Sequence, residues 1–319
     1  VTRQALEKHQ VWVYVAAIGL GLGVGTVAPA VGPVAERVLW PALALLLYVT
    51  FVQVPLLHLR AALVDARFTG AALTGNFVIM PLVVWGLVQV LPADPAVRVG
   101  VLLVLLVPCT DWFITFTQLS GGDTARAIAV SPVNLLLQLV LLPVYLLVMA
   151  PAEVSAVVDG DVVWPALVVV LGPLAAAALT ERWVGDAPAR ARWRDRSGWA
   201  PVPLLALVVL LVAAAQAGTV LDAVGLLPVL VPVFVGFALT AVVVARGLAS
   251  AFSLPDRQAR TLTFGLVTRN SFVVLPLALA LPGDLQVAAV VVVVQSVVEL
   301  LLVVLLLPWV GRTRRRRAP

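Results

Sequence analysis

Ten apolar runs follow one another along this chain, near 11–31, 38–57, 70–91, 97–118, 127–149, 161–180, 200–217, 226–246, 259–281 and 286–309. Each approaches the roughly 20 residues that an α-helix needs to cross about 30 Å of hydrocarbon. In that solvent every backbone N–H and C=O must find a partner within the protein, so the runs are expected to be helices. Charged and turn-forming residues gather in the connections, such as LPADPAVR, SGGDTAR and SLPDRQAR. The composition agrees: 62% of residues are hydrophobic and 12% charged, where soluble domains hold about 25% charged. The expected fold is an all-α integral membrane protein with ten transmembrane helices.

Basic residues orient those helices. With the N-terminus cytoplasmic, the inner segments hold Arg3, Lys8, Arg60, Arg67, Arg126, the five arginines of 182–196, Arg246, Arg257, Arg260 and the five of the tail. The outer side keeps Arg37 and Arg98. This asymmetry places both termini of a multi-pass cell-membrane protein in the cytoplasm. The near-exclusive use of arginine, with Lys8 the sole lysine, fits a GC-rich bacterial genome. The tail RTRRRRAP follows directly on the last run, where it serves topology and contact with anionic lipid, so no nucleic-acid partner is expected. The first run is read as a span and not as a cleaved leader, because a second apolar run follows at once. One cysteine excludes an internal disulfide and any multi-cysteine metal site; the two histidines, His9 and His58, fall at expected helix ends. No HExxH or GxSxG pattern occurs, so neither an enzyme nor a cofactor is expected.

The chain also resembles itself. A shift of 165 residues lays SPVNLLLQLVLLPVY (131–145) over SVVELLLVVLLLPWV (296–310), with Ser131 on Ser296, Asn134 on Glu299 and Pro143 on Pro308. A shift of 160 lays VPCTDWF (107–113) over VTRNSFV (267–273). The fourth run thus pairs with the ninth and the fifth with the tenth. Each half holds an odd number of spans, so the second must be inverted in the membrane, as in secondary transporters. The expected halves are 1–180 and 199–319, joined by a charged cytoplasmic linker at 181–198. By these boundaries three charged residues lie deep in spans, Asp111, Arg269 and Glu299, and all three fall in the repeat-related pairs.

Burying an unpaired charge in hydrocarbon costs at least about 2.5–3.5 kcal/mol, so such residues mark sites. Pro108 removes a backbone donor and crowds the preceding turn. Thr268, Asn270 and Ser271 offer side chains that compensate freed backbone groups. The expectation is that 107–112 and 267–272 are non-helical and cross near the membrane centre. Cys109, Thr110, Asp111, Arg269, Asn270 and Ser271 would then line one polar pocket, with Arg269 holding Asp111 as an ion pair. Asn134 and Gln138, and likewise Gln295 and Glu299, stand one turn apart and face the same seam. Asn76 is either a packing hydrogen bond or a ligand contact.

These motifs resemble the bile acid/sodium symporter superfamily and, within it, the arsenite efflux permeases of the arsenical-resistance family. The likeness rests on Pro108-Cys109-Thr110, on the Gly122-Asp123 turn, on NFVIMP (Asn76 to Pro81) and on TRNSFVVLPLALALP (268–282). It implies a core domain from spans 3–5 and 8–10 carrying the crossed helices, and a panel from spans 1, 2, 6 and 7. It also implies Cys109 as the essential thiol and As(III) ligand, since a thiolate is a soft partner for a soft electrophile. One departure stands out: where those permeases carry a ninth-span glutamate that assists proton exchange, this chain has Val273. The leading expectation is arsenite efflux by exchange for protons. The alternative is a sodium-coupled symporter of an organic anion, with Arg269 favouring the anion and Asp111, Glu299 and Gln295 available to sodium. The partners are therefore a small inorganic or organic anion, H+ or Na+, and the lipid bilayer.

Overall fold

The computed structural model describes residues 3–56, 64–150, 163–185 and 197–312. His58, Arg60, the arginines at 190–196 and those at 314–317 lie outside the described residues. In chain order the helices are α1 (Arg3–Val27), α2 (Gly32–Val52), α3 (Ala66–Thr74), α4 (Met80–Gln89), α5 (Pro95–Leu105), α6 (Trp112–Leu119) and α7 (Thr124–Met149). There follow α8 (Val163–Val184), α9 (Pro201–Ala215), α10 (Ala217–Asp222), α11 (Leu227–Ala251), α12 (Asp256–Val267), α13 (Ser271–Leu279) and α14 (Val287–Arg312). Six helical stretches among the described residues are long and apolar enough to cross a membrane: Pro29–Val52, Ala66–Gln89, Thr124–Met149, Leu167–Val184, Ala217–Ala251 and Val287–Val310. Three more are apolar and shorter, at Trp12–Val27, Pro95–Leu105 and Pro201–Ala215. This is a helical membrane protein.

Two groups of helices carry the packing. In one, α1 and α2 lie against α9, and α8 lies against α2. Small residues make this possible: a Cβ on Gly21 would sit 2.4 Å from the Leu210 carbonyl oxygen, and one on Gly25 would sit 2.5 Å from that of Ala214. Helices in lipid gain little from hydrophobic exclusion and associate through such close backbone approach. In the other group α5, α11 and α13 pack on α14, and α12 packs on α11. The crossing of the two broken helices lies in this second group.

Several boundaries differ from the sequence expectation. Residues Ala66–Gln89 form one apolar stretch, but Gly75–Ile79 is a π-helical turn between α3 and α4. Its geometry frees a carbonyl, and the Tyr145 hydroxyl from α7 donates to Phe77 O at 2.6 Å. Helix α8 continues to Val184, which is buried, so the first residues of the expected linker are helical. The breaks occupy 106–111 and 268–270. The second is shorter than expected because α13 already begins at Ser271.

Candidate functional site

The two breaks touch through their backbones. The Cys109 N–H donates to Thr268 O at 3.2 Å, and the Asn270 N–H donates to Val107 O at 2.8 Å. Together they place Pro108 opposite Arg269 in a single antiparallel bridge. In this register neither bridged residue needs its own N–H for the pair. Proline is therefore tolerated on one strand, and on the other the Arg269 N–H is left to bond the Glu299 carboxylate at 2.8 Å. Local chemistry ends each preceding helix. Pro108 cannot donate back to α5, and the Thr268 hydroxyl turns onto Phe264 O at 2.8 Å at the end of α12.

The helices that resume after the breaks start without side-chain caps. Asp111 and Asn270 occupy the N-cap positions of α6 and α13, and neither side chain bonds its own helix. Asn270 Nδ2 instead donates to Thr110 Oγ1 at 3.1 Å, tying the breaks together a second time. The Asp111 carboxylate accepts the Cys109 thiol at 3.3 Å. Ser131 of α7 donates to Thr110 O at 2.8 Å.

From the second break a polar chain runs into α14. Ser271 donates to Gln295 Oε1 at 2.8 Å, and Gln295 Nε2 donates to Glu299 at 2.6 Å, on the same oxygen that receives the Arg269 N–H. The repeat-related pair on α7 behaves otherwise. Asn134 Oδ1 and both amide atoms of Gln138 are buried with no partner among the described residues.

The Arg269 side chain departs from expectation. Its guanidinium bonds Asn76 Oδ1 at 3.2 Å, Leu105 O at 3.4 Å and Leu266 O. Its carbon lies 4.9 Å from the centre of the Phe237 ring on α11. The ion pair between Arg269 and Asp111 is not formed in this structure. The bridge sends the arginine side chain toward the third-run π-turn, while Asp111 sits three residues beyond Pro108 and meets the thiol. Asn76, left open between packing and ligand contact, is placed by that π-turn as an acceptor for Arg269.

A cavity of about 360 Å³ reaches the first break. Thr110, Asp111 and Trp112 form its inner end, and Gln10, Thr50 and Gln53 contribute polar groups from α1 and the end of α2. Arg269, Asn270, Ser271, Gln295 and Glu299 are not among its lining residues. Apart from Asn134 and Gln138, which no bond among the described residues joins to it, the sequence-predicted residues are thus in one connected network, but only the Thr110–Asp111 corner meets the cavity. Trp112 closes one wall, stacked on Tyr14 of α1 at 6.2 Å and set edge-on to Phe272 at 5.0 Å. Sequence reasoning missed Gln10, Thr50, Gln53 and Tyr14. Their one local signal was a polar side chain near the end of an apolar run, which is common.

A model of the sodium bile acid symporter family matches residues 40–223. The chain belongs to this family. Its members are transporters and not enzymes, which agrees with a polar break beneath a cavity in an apolar helical body. The match includes the first break and ends before Arg269 and Glu299. No individual curated protein matches this symporter-family chain.

Proposed function

We propose that this symporter-family protein is a secondary transporter that exports arsenite in exchange for protons. The reading takes the chain as ten spans in two inverted five-helix halves, with α5–α6 and α12–α13 as the crossed, broken pair. The observation that carries it is the Cys109 thiol, buried behind the cavity wall, donating at 3.3 Å to Asp111, which lines the cavity. Among the described residues the cavity lining holds one carboxylate, Asp111, and no cationic side chain. Such a surface suits arsenous acid, which is uncharged at neutral pH and offers three hydroxyls, better than it suits an organic anion. Capture exchanges one hydroxyl for sulfur. Cys109 gives its proton to Asp111, sulfur bonds arsenic, and the departing hydroxide takes the proton as water, which restores the carboxylate. Hydrolysis of the single S–As bond reverses the step, and one soft ligand keeps the cargo releasable. With both termini cytoplasmic, the cavity opens inward, the side on which an exporter loads.

Cys109→Ser and Cys109→Ala are both expected to abolish arsenite efflux from proteoliposomes and resistance in a sensitive host, with the protein still present in the membrane. Wild-type flux in both variants defeats the thiol assignment.

Two observations favour a second reading, a sodium-coupled carrier of an organic anion: the family match itself, and the buried amide oxygens of Asn134 and Gln138, unpartnered among the described residues. Counterflow of taurocholate that requires sodium and ignores Cys109→Ala selects that reading.

A further inference from the structure

The buried arginine of the second break has no role in the chemistry above. Its surroundings are unusual for a guanidinium. Arg269 is 2% exposed, and no carboxylate bonds its guanidinium among the described residues. The nearby carboxylate, Glu299, is occupied by the Arg269 backbone N–H and the Gln295 amide. What faces the guanidinium is a ring of neutral oxygens: Asn76 Oδ1, Leu105 O and Leu266 O.

Two of those oxygens have a common origin. Leu105 is the last residue of α5, and Leu266 lies in the final turn of α12. Carbonyls of a last turn have no intrahelical partner, and each helix carries partial negative charge at that end. The breaks therefore turn two negative helix ends onto one point, from opposite halves of the chain. The π-turn adds the Asn76 oxygen, and the Phe237 face covers the remaining side. Half-helix carboxyl ends and unwound carbonyls are the groups with which carriers hold small monovalent cations. The fit to a guanidinium is incomplete. It brings five donors to three oxygens, and Arg269 Nε is buried without a partner among the described residues.

We propose that the crossing contains a monovalent-cation site whose occupant is the protein's own Arg269 guanidinium. The cation is tethered, so it neutralises the two helix ends in every conformation of the transport cycle and cannot be released on either side. Transport then draws no driving force from a free cation at this point. Arg269 decides coupling-ion specificity by excluding alkali ions. The inference goes beyond the substrate assignment and does not depend on it.

The test uses the purified full chain without substrate, with unfolding followed by tryptophan fluorescence in sodium, lithium, potassium or choline chloride at constant ionic strength. The wild type is expected to melt at the same temperature in all four. Arg269→Ser is expected to melt lower in choline and to recover several degrees, saturably, in one alkali cation. Adding Asn76→Ala should remove that recovery. Arg269→Lys, which keeps a tethered cation, should show no alkali dependence. An Arg269→Ser protein indifferent to all four salts overturns the proposal, and so does a wild type that responds to an alkali cation as strongly as the variant. If Arg269→Ser does not accumulate, the amounts of protein in membranes decide. Near-wild-type levels of Arg269→Lys support a charge requirement, and equal loss of both variants overturns it.

Discussion

The two breaks that meet at the crossing share a backbone register and differ in almost everything else. The first, 106–111, carries a proline, the only cysteine and a carboxylate, and its Asp111 end borders a cavity. The second, 268–270, is buried throughout, and its arginine and asparagine are consumed by bonds to α14, to the π-turn and to Thr110. One strand ends at the cavity; the other is sealed inside the crossing. Under the transport reading, near-symmetric backbones divide the labour of binding and fixing through side chains alone. The division has a physical basis. A buried charge is tolerated only when its neighbours are permanent, whereas a group that must exchange partners needs access to solvent.

That division is open to direct attack. The largest effect on stability is expected from the second break. Glu299→Ala leaves the Arg269 N–H and the Gln295 amide without an acceptor at a position only 5% exposed. A loss of about 3 kcal/mol follows from two buried orphan donors, with Glu299→Gln retaining most of the stability through its amide oxygen. Equal losses in both variants would mean that the side chain acts by volume and that this half of the comparison fails.

A smaller effect is expected outside the crossing, where Asp65 ties three helices together. Its carboxylate accepts from the Phe68 N–H at 3.1 Å as the N-cap of α3 and from Gln258 Nε2 at 2.7 Å, and it pairs with Arg126 at 3.1 Å. The Phe68 hydrogen bond, then Gln258 and Arg126, hold Asp65 below the usual carboxylate range against the opposing effect of burial. A depressed folded value stabilises above the unfolded value and is lost as pH falls through the folded one. Its contribution is therefore full at neutral pH and fades below about pH 4. Asp65→Ala is expected to cost about 1 kcal/mol at pH 7, and Asp65→Asn less, since asparagine also caps. A pH-independent difference between wild type and Asp65→Asn would remove the electrostatic part of this account.

The smallest effect on stability is expected from the first break, and it sharpens the comparison most. Asp111→Asn keeps an oxygen for the Cys109 thiol and lies at the cavity, so it should destabilise less than Glu299→Ala. Under the arsenite reading its flux should nonetheless collapse, because the amide cannot take the thiol proton. Should Asp111→Asn destabilise as strongly as Glu299→Ala, the two breaks are equivalent supports and the division is wrong.

Much of this was legible before any coordinates. The repeat-related offset brought together VPCTDWF and VTRNSFV, and proline chemistry marked where the first helix fails. Their backbone contact follows that pairing closely. The Gln295–Glu299 spacing likewise became one bonded turn. The expected Asp111–Arg269 ion pair did not form, and the reason is directional. Opposite charges in paired runs suggest contact, but the bridge register decides which way each side chain leaves the backbone. The π-turn was also invisible, since NFVIMP reads as uninterrupted apolar helix and nothing in its periodicity announces an extra residue in one turn. Asn76 lies in that turn and accepts from Arg269. The polar cavity wall escaped notice for a different reason: Gln10, Thr50 and Gln53 come from separate segments with no shared motif.

The sequence by itself determined that the chain lives in a membrane as helices, because apolar runs of this length have no other way to satisfy their backbones. It also determined where two of those helices break, because a missing N–H and a back-bonding threonine act within a single turn. Tertiary structure alone decided that the acidic break meets the cavity and that the basic break is sealed among carbonyls. Those outcomes depend on distances between segments far apart in the chain, such as Gln10 and Asp111 or Asn76 and Arg269, and no local rule of spacing or propensity reaches across that separation.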